Sequence, residues 1–225
     1  CISSTQITNR SSIYVWYTLM ISRRLAPALF ALALSACTVQ QGLPLEQRPS
    51  TWAKPISVSG LPNLHQASPT LFRSAQPLAS GLTELNQATF LTPQGKPIKT
   101  VVSLRANNGN ERIVTATGVQ YVQIPFNTWH VKDQDVLAFL RLATNPEQQP
   151  VLLHCKHGAD RTGMMTAIYR VVVQDWSKAD AIAEMRQGGF GYHPIWSNLI
   201  RYIENLDVAA WKAKLKQNSP PKTKS

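Results

Sequence analysis

The segment VLLHCKHGADRTG, residues 151–163, predicts the turn around which this chain folds. Its first residues form an apolar run typical of buried parallel strands, and a helical pattern begins near Arg161. Gly158 lets the backbone between them curl tightly, because it has no side chain. Loop amides and the positive end of the helix then converge, which predicts a concave site sized for phosphate.

One cysteine and one arginine in this loop predict nucleophilic chemistry on the bound phosphate. Cys155 lies at the bottom of the cup, where amide dipoles and positive charge favour a thiolate. A thiolate facing a phosphate is placed for in-line attack. Arg161 provides a planar, bidentate clamp for two phosphate oxygens. The residues predicted to bind the phosphate are Lys156, His157, Gly158, Ala159, Asp160 and Arg161.

The loop has a Cys-x5-Arg spacing, with His154 before the cysteine and Thr162 and Gly163 after the arginine. This pattern resembles the cysteine-dependent protein tyrosine phosphatases, most closely their dual-specificity branch. The resemblance extends to LFRSAQP and GGFGYHPIW and covers roughly residues 60–207.

The resemblance implies a phosphatase that hydrolyses phosphotyrosine, phosphoserine or phosphothreonine in proteins through a phosphocysteine intermediate on Cys155, which water later hydrolyses. Thr162 matches the hydroxyl residue that eases departure of the thiolate, and His154 matches the residue that orders the loop. No cofactor or metal is implied, because the cup and Arg161 supply the electrostatic stabilisation.

The general acid is left open between aspartates in two places. The leaving oxygen needs a proton, which an aspartate on a separate loop normally donates. The segment PFNTWHVKDQD lacks the Trp-Pro-Asp order of the family, and Asp133 is the nearest candidate there, followed by Asp135. Either could instead serve the following helix, Asp133 as its cap and Asp135 in its first turn. Asp160, inside the phosphate loop, matches an aspartate proposed as the acid in some lipid-active relatives, and we favour it slightly.

Two flanking segments contain candidate pocket residues. Arg73 and Gln76 could line the pocket, although an arginine at a strand end is more often a structural ion-pair partner. Tyr192 and His193 could reach the rim, or the surrounding glycine-shaped turn could be packed by its aromatics.

The substrate class is also open. Lys156 and His157 make the loop more basic than phosphotyrosine requires, and a lysine after the cysteine occurs in phosphatases that act on phosphoinositides or inositol phosphates. Proteins with phosphotyrosine are our first expectation. A rhodanese-like sulfurtransferase is disfavoured by the Arg-Thr-Gly ending of the loop. A non-catalytic phosphate-binding module is disfavoured because Cys155 and Arg161 are both present.

The remaining pattern predicts an α/β domain with a mostly parallel central sheet flanked by helices, because strand-like and helical segments alternate. The predicted strands lie in segments 70–77, 98–105, 119–126 and 150–155, and the predicted helices in 79–90, 109–118, 133–144, 161–176, 177–189, 193–206 and 208–216. Ser177 and Asp180 have capping-box spacing.

The first 59 residues have the pattern of an export signal. Residues 1–19 are predicted to be a non-native extension, and residues 20–36 a signal peptide with a positive start and a 12-residue apolar run. Such a run spans about 18 Å as a helix, which is too short for a hydrocarbon core of about 30 Å. The four residues LSAC resemble a lipobox, so Cys37 is predicted to carry lipid and residues 37–59 to form a tether.

The expected location is therefore the outer membrane of a bacterium, facing the periplasm, with a soluble periplasmic or secreted protein as the alternative. Residues 60–210 form the predicted phosphatase domain and residues 211–225 a basic tail. The net charge is +11, but between positions 38 and 210 the chain has 15 basic and 12 acidic residues. Nucleic-acid binding is not expected, because zinc-type cysteine spacing and RNA-binding aromatic signatures are absent from the sequence.

Overall fold

The computed structural model describes residues 40–83, 85, 95–106 and 110–217. In this part of the chain six strands form one sheet in the order β1-β2-β3-β6-β4-β5. The strands are β1 Lys54–Pro55, β2 His65–Ser68, β3 Leu71–Ser74, β4 Thr100–Ser103, β5 Gln120–Gln123 and β6 Val151–His154. All four predicted strands are confirmed, and β1 and β2 were not predicted.

Strands β3, β6, β4 and β5 run parallel to one another, which confirms the predicted, mostly parallel sheet. Their last residues are in register, since His154 pairs with Ser74 on one side and with Ser103 on the other. Cys155 therefore leaves the middle of the carboxyl edge, where loops of parallel sheets commonly form ligand sites. Strands β1 and β2 extend the sheet antiparallel beyond β3.

The helices cover both faces of the sheet. They are α1 Ala79–Thr83, α2 Glu111–Ala116, α3 Asp133–Thr144, α4 Asp160–Val173, α5 Lys178–Gln187, α6 Ser197–Glu204 and α7 Val208–Lys216, with 3-10 helices at Leu45–Gln47 and Pro194–Trp196. Each predicted helix overlaps one of these helices, but Leu85 in the predicted helix 79–90 lies in a turn, and the segment 193–206 becomes α-helical only at Ser197. Ser177 caps α5 by accepting from the amide of Asp180 at 3.0 Å.

Alternation along the strands separates two apolar layers. Phe72, Val101 and Leu152 face one layer with α1 and α2. Val102 and Leu153 face the other, larger layer, which contains residues of α3 to α7. Helix α4 is buried along most of its length, so it is the central helix of the larger layer and fixes the position of the loop before it.

The predicted cap of α3 is wrong. Lys132 occupies the N-cap position without a side-chain capping bond, and Asp133 is the first helical residue. The Asp133 carboxylate instead accepts from the hydroxyl of Tyr202 at 2.6 Å and lies 3.5 Å from Lys214 Nζ. These partners from α6 and α7 come from far along the chain, so local spacing could not indicate them.

The described part of the predicted tether is packed against the domain. Leu43 N donates to Gln187 O at 2.7 Å, and Ala53 N donates to the Glu184 carboxylate at 2.6 Å. Trp52 is buried as well. Folded structure thus begins at least 20 residues before position 60. It also continues past position 210, because α7 reaches Lys216 and buries Trp211.

The predicted extension at 1–19, the signal peptide at 20–36 and the lipid attachment at Cys37 all lie outside the described residues. Within the described part, no helix has the length and apolar character needed to cross a membrane.

Candidate active site

The loop between β6 and α4 forms a cup around the thiol of Cys155. The thiol is 3% exposed, and Gly158 N donates a hydrogen bond to Cys155 Sγ at 3.3 Å. Ala159 is buried beside Gly158, whereas Lys156 and His157 are exposed. At least one loop amide therefore points at the sulfur, as expected for a site that binds an anion at the end of a strand.

The cup needs glycine at its tightest point. Gly158 has φ +72°, and a Cβ there would lie 2.6 Å from the backbone of Ser74 and of Ala75. The end of β3 therefore forms a wall against which the loop is packed.

Arg73 supports the loop from within the protein. It is 1% exposed, and its Nη2 donates to Gly158 O at 2.6 Å. Its guanidinium also stacks on the ring of Phe190, with 3.6 Å from Cζ to the ring centroid. Burial lowers the pKa of Arg73 to about 10, while the negative charge of Glu184 opposes this shift. Arg73 is therefore still charged at neutral pH, and it holds the loop from beneath.

Arg161 is oriented by the ends of the neighbouring strands. Its Nη1 donates to Leu104 O at 3.1 Å and to Phe126 O at 3.5 Å. These carbonyls follow β4 and β5. Since one edge of the planar group is fixed in this way, the guanidinium has a defined plane, as bidentate phosphate binding requires.

His154 and Thr162 are fully buried on either side of the loop. His154 Nδ1 lies 3.3 Å from Cys155 O. Burial, together with the charges of Arg105 and Arg161, lowers the pKa of His154 to about 4, so this ring is neutral at physiological pH. The hydroxyl of Thr162 and Nε2 of His154 have no hydrogen-bond partner among the described residues.

Asp160 forms a tight pair with His193 at the rim. One carboxylate oxygen accepts from His193 N at 2.9 Å, and the other lies 2.9 Å from His193 Nδ1. Burial and the charge of Lys156 lower the pKa of His157, whose ring centroid lies 5.7 Å from that of His193. Of the predicted rim residues, His193 reaches the phosphate loop, whereas the ring of Tyr192 is buried.

The other candidate acids lie elsewhere. Asp133 is held by α6 and α7 through Tyr202 and Lys214, and Asp135 lies two residues further along α3. Asp160 therefore lies in the phosphate loop itself, whereas Asp133 lies in α3 and contacts α6 and α7.

A metal could be considered at the rim, because ligand atoms of His157, Asp160 and His193 lie within 4.8 Å of one another. However, the charges of Lys156 and Arg161 act on the same place and oppose cation binding. The hydrogen bonds between Asp160 and His193 instead hold this corner of the loop in place.

Two residues of the site were missed by the sequence analysis. Asn63 donates from its amide nitrogen to His157 O at 2.9 Å and to Phe190 O at 3.0 Å, and so joins the loop to the segment after α5. Arg105 follows β4 and donates to the side chain of Gln76, and the backbone N–H of Gln76 donates to Lys156 O at 3.2 Å. Arg105 could have been found from its place at the carboxyl end of a predicted strand. Asn63 has φ +54°, and its proline-preceded turn is the signal in sequence.

The comparisons with known proteins agree with this geometry. Residues 62–195 match the family model described as "PTP-NADK: DSP-PTPase phosphatase fused to NAD+ Kinase". The chain is 38% identical over 162 residues to the dual specificity protein phosphatase TpbA of Pseudomonas aeruginosa (strain UCBPP-PA14), which covers 72% of this chain and 69% of TpbA. It is 29% identical over 157 residues to the inositol diphosphatase DSP5 of Arabidopsis thaliana, which covers 67% of this chain and 72% of that protein.

The crystal structure of P. aeruginosa TpbA in complex with pTyr superposes with a TM-score of 0.64 at 34% identity, covering 76% of this chain and 99% of that chain. The α/β fold and the cysteine beneath a phosphate cup define a cysteine-dependent phosphatase. Since the family model covers more than half of the chain and TpbA is 38% identical over 162 residues, the chain belongs to the dual-specificity phosphatase family.

Proposed function

We propose that this phosphatase acts on phosphotyrosine in proteins through a phosphocysteine intermediate on Cys155. The contact between Gly158 N and Cys155 Sγ carries the proposal. It directs an amide dipole at the sulfur, and this mechanism requires that sulfur to attack as a thiolate. The similarity to TpbA, whose structure includes pTyr, supports phosphotyrosine as the substrate.

The reaction has two steps. Cys155 Sγ attacks phosphorus and the ester P–O bond breaks, while the leaving oxygen takes a proton from the general acid. Arg161 and the loop amides stabilise the charge on the phosphoryl oxygens. Water then attacks phosphorus, the P–S bond breaks, and the same carboxylate takes the proton of the water. The unpartnered hydroxyl of Thr162 is available to stabilise the departing thiolate.

Asp160 is the proposed general acid. It lies in the loop, and its second oxygen lies 2.9 Å from His193 Nδ1, so the carboxyl group is held in a fixed position beside the cup. Asp133 is more than half exposed, and its carboxylate is held by Tyr202 of α6 and Lys214 of α7. These contacts give Asp133 a structural role between helices.

A second substrate class is an inositol phosphate. The exposed Lys156 adds a positive charge at the mouth, and the relative from Arabidopsis thaliana is named an inositol diphosphatase. The same cup would attack either substrate, so the choice depends on the surface around the mouth.

We also propose export and attachment to a membrane by lipid on Cys37. The positive start, the short apolar run and the LSAC sequence support this proposal. Fatty acid labelling of the expressed chain, with Cys37→Ser as the control, tests it. Label retained in the variant would refute attachment at Cys37.

The central test measures phosphate release from 4-nitrophenyl phosphate by the full chain, with and without vanadate. We expect vanadate-sensitive turnover that is abolished by Cys155→Ser, and a trapped phosphoenzyme that the variant cannot form. The variant should unfold at the same denaturant concentration as the wild type, which separates lost chemistry from lost folding. Turnover that survives in Cys155→Ser would refute the mechanism.

The assignment of the acid is tested with substrates of different leaving groups. Asp160→Asn keeps an oxygen for His193 N but cannot donate the proton, so kcat for phosphotyrosine should fall by about 10²-fold or more. The loss should be much smaller for 4-nitrophenyl phosphate, whose leaving group needs little protonation. Asp133→Asn is the matched control and should change neither rate. The opposite pattern would transfer the role to Asp133.

A further inference from the structure

We call three neighbouring apolar residues the aromatic rim, of which Trp196 is half-buried against the core and the other two are exposed: Trp129, Ile195 and Trp196. Trp129 is 72% exposed and Ile195 is 67% exposed. The rings of Trp129 and Trp196 meet edge to face, with centroids 4.5 Å apart. Single exposed apolar residues are ordinary, whereas a cluster that includes two indoles is typical of an interaction site.

The aromatic rim is connected to the phosphate cup at two points. Trp129 lies three residues after Phe126, whose carbonyl accepts from Arg161. Ile195 lies two residues after His193, which contacts Asp160. Three residues of extended chain span about 10 Å, so the rim lies within that reach of the groups that contact the cup.

The two segments of the rim are also fixed to one another. Asn198 donates from its amide nitrogen to Thr128 O at 2.6 Å. Trp129 N donates to the side chain of Asn127 at 3.0 Å, and Trp196 N donates to His193 O at 3.0 Å. A surface held in this way is organised before a ligand arrives, which reduces the entropy cost of binding.

We infer that the aromatic rim binds an apolar side chain two or three residues from the phosphorylated residue of a protein substrate. This inference rests on the proposed function and specifies its substrate. Extended peptide advances about 3.4 Å per residue, so a side chain at that separation reaches about 7–10 Å from the phosphoamino acid. An inositol phosphate carries a hydroxyl or a phosphate group on each ring carbon, so it has no apolar side chain to place on this surface.

The test compares two phosphotyrosine peptides that differ only in leucine or serine at the second or third position from the phosphotyrosine. For the full chain, Trp129→Ala should raise KM for the leucine peptide by roughly tenfold, which corresponds to about 1.4 kcal/mol. The kcat should be unchanged, and KM for the serine peptide and for 4-nitrophenyl phosphate should stay within about twofold. Leu45→Ala, which removes another exposed apolar side chain in the 3-10 helix Leu45–Gln47, is the control and should change nothing.

Three outcomes would overturn the inference. An equal effect of Trp129→Ala on both peptides would mean that the rim does not recognise the apolar side chain. If Trp129→Ala abolished binding to phosphatidylglycerol vesicles but left the peptide kinetics unchanged, the rim would be a membrane-binding surface. Turnover of inositol phosphates but of neither peptide would exclude a protein substrate. If the wild type fails to hydrolyse even 4-nitrophenyl phosphate, the proposed function itself fails, which is a distinguishable result.

Discussion

Substitution of Gly158 by alanine tests how the phosphate cup is built. The new Cβ would lie 2.6 Å from Ser74 C and from Ala75 N, whereas ordinary contact begins at 3.4 Å. The loop and the end of β3 would therefore have to separate by about 0.8 Å, a distance obtained from these two values. Both neighbours are backbone atoms, so no side chain can rotate to relieve the overlap.

Alanine at position 158 would destabilise the fold in two ways, through its backbone conformation and through steric overlap, and Gly118 allows the first to be measured alone. A left-handed conformation costs a residue with a Cβ about 1–2 kcal/mol, and overpacking costs typically about 1–3 kcal/mol more. Gly118, after α2, has φ +78° but no atom within 4 Å of its Cβ position. Gly118→Ala should therefore cost only the first amount, and Gly158→Ala the sum of both, about 2–5 kcal/mol.

The assay combines denaturant unfolding with turnover of 4-nitrophenyl phosphate. Because a misplacement near 1 Å costs about 10²-fold in rate, kcat/KM should fall by about that factor in Gly158→Ala and stay near the wild-type value in Gly118→Ala. If the two variants lose the same stability and both retain activity, the contact between the loop and β3 does not shape the cup, and the reasoning is refuted.

Three further variants probe the groups around the cup. Glu184→Ala removes the carboxylate that pairs with the buried guanidinium of Arg170 at 2.7 Å. The unfolding free energy in a denaturant titration should therefore fall by about 3–5 kcal/mol, and an unchanged midpoint would contradict this. Asn63→Ala removes the donor to His157 O, and kcat/KM for 4-nitrophenyl phosphate should fall by about fivefold, the equivalent of one net hydrogen bond near 1 kcal/mol. Burial, with Arg73 nearby, lowers the pKa of His65 from 6.5 to about 4. Below pH 6.5 the unfolded chain therefore binds a proton that the folded chain does not, and stability falls as the pH drops towards 4. His65→Gln should reduce that slope by up to about 1.4 kcal/mol per pH unit in urea titrations from pH 7 to 4.5, and an unaltered slope would exclude His65 as its source.

The sequence allowed the catalytic strand, loop and helix to be predicted because their determinants are local. The apolar run of β6, the glycine at the turn and the buried helix α4 all lie within about 25 consecutive residues. The parallel arrangement followed from the alternation of strands and helices. Strands β1 and β2 were missed because Lys54–Pro55 is only two residues long and His65–Ser68 contains a histidine, a glutamine and a serine, so neither has the pattern of a strand.

The supports of the site could not be predicted, because each joins distant parts of the chain. Arg73 bonds to Gly158, which lies 85 positions later, and Asn63 bonds to His157, 94 positions later. Arg73 was expected to be a structural ion-pair partner, whereas the contacts it makes are with the carbonyl of Gly158 and the ring of Phe190. For Asp133 a local pattern was misleading. Its position before a helical pattern predicted an N-cap, whereas its carboxylate bonds to Tyr202, which lies 69 positions later.

The contacts of the cup explain why recognition and chemistry must be measured separately. The segment that carries Trp129 also supplies the Phe126 carbonyl that orients Arg161, and the segment that carries Ile195 also supplies the His193 ring that contacts Asp160. A change at the rim that moved either segment would alter the clamp or the acid and would therefore lower kcat on every substrate. A change that only removed an apolar surface would alter KM on peptides alone. Because Trp129 is mostly exposed and its segment is held by the side chain of Asn198 on the Thr128 carbonyl, its truncation should produce the second pattern.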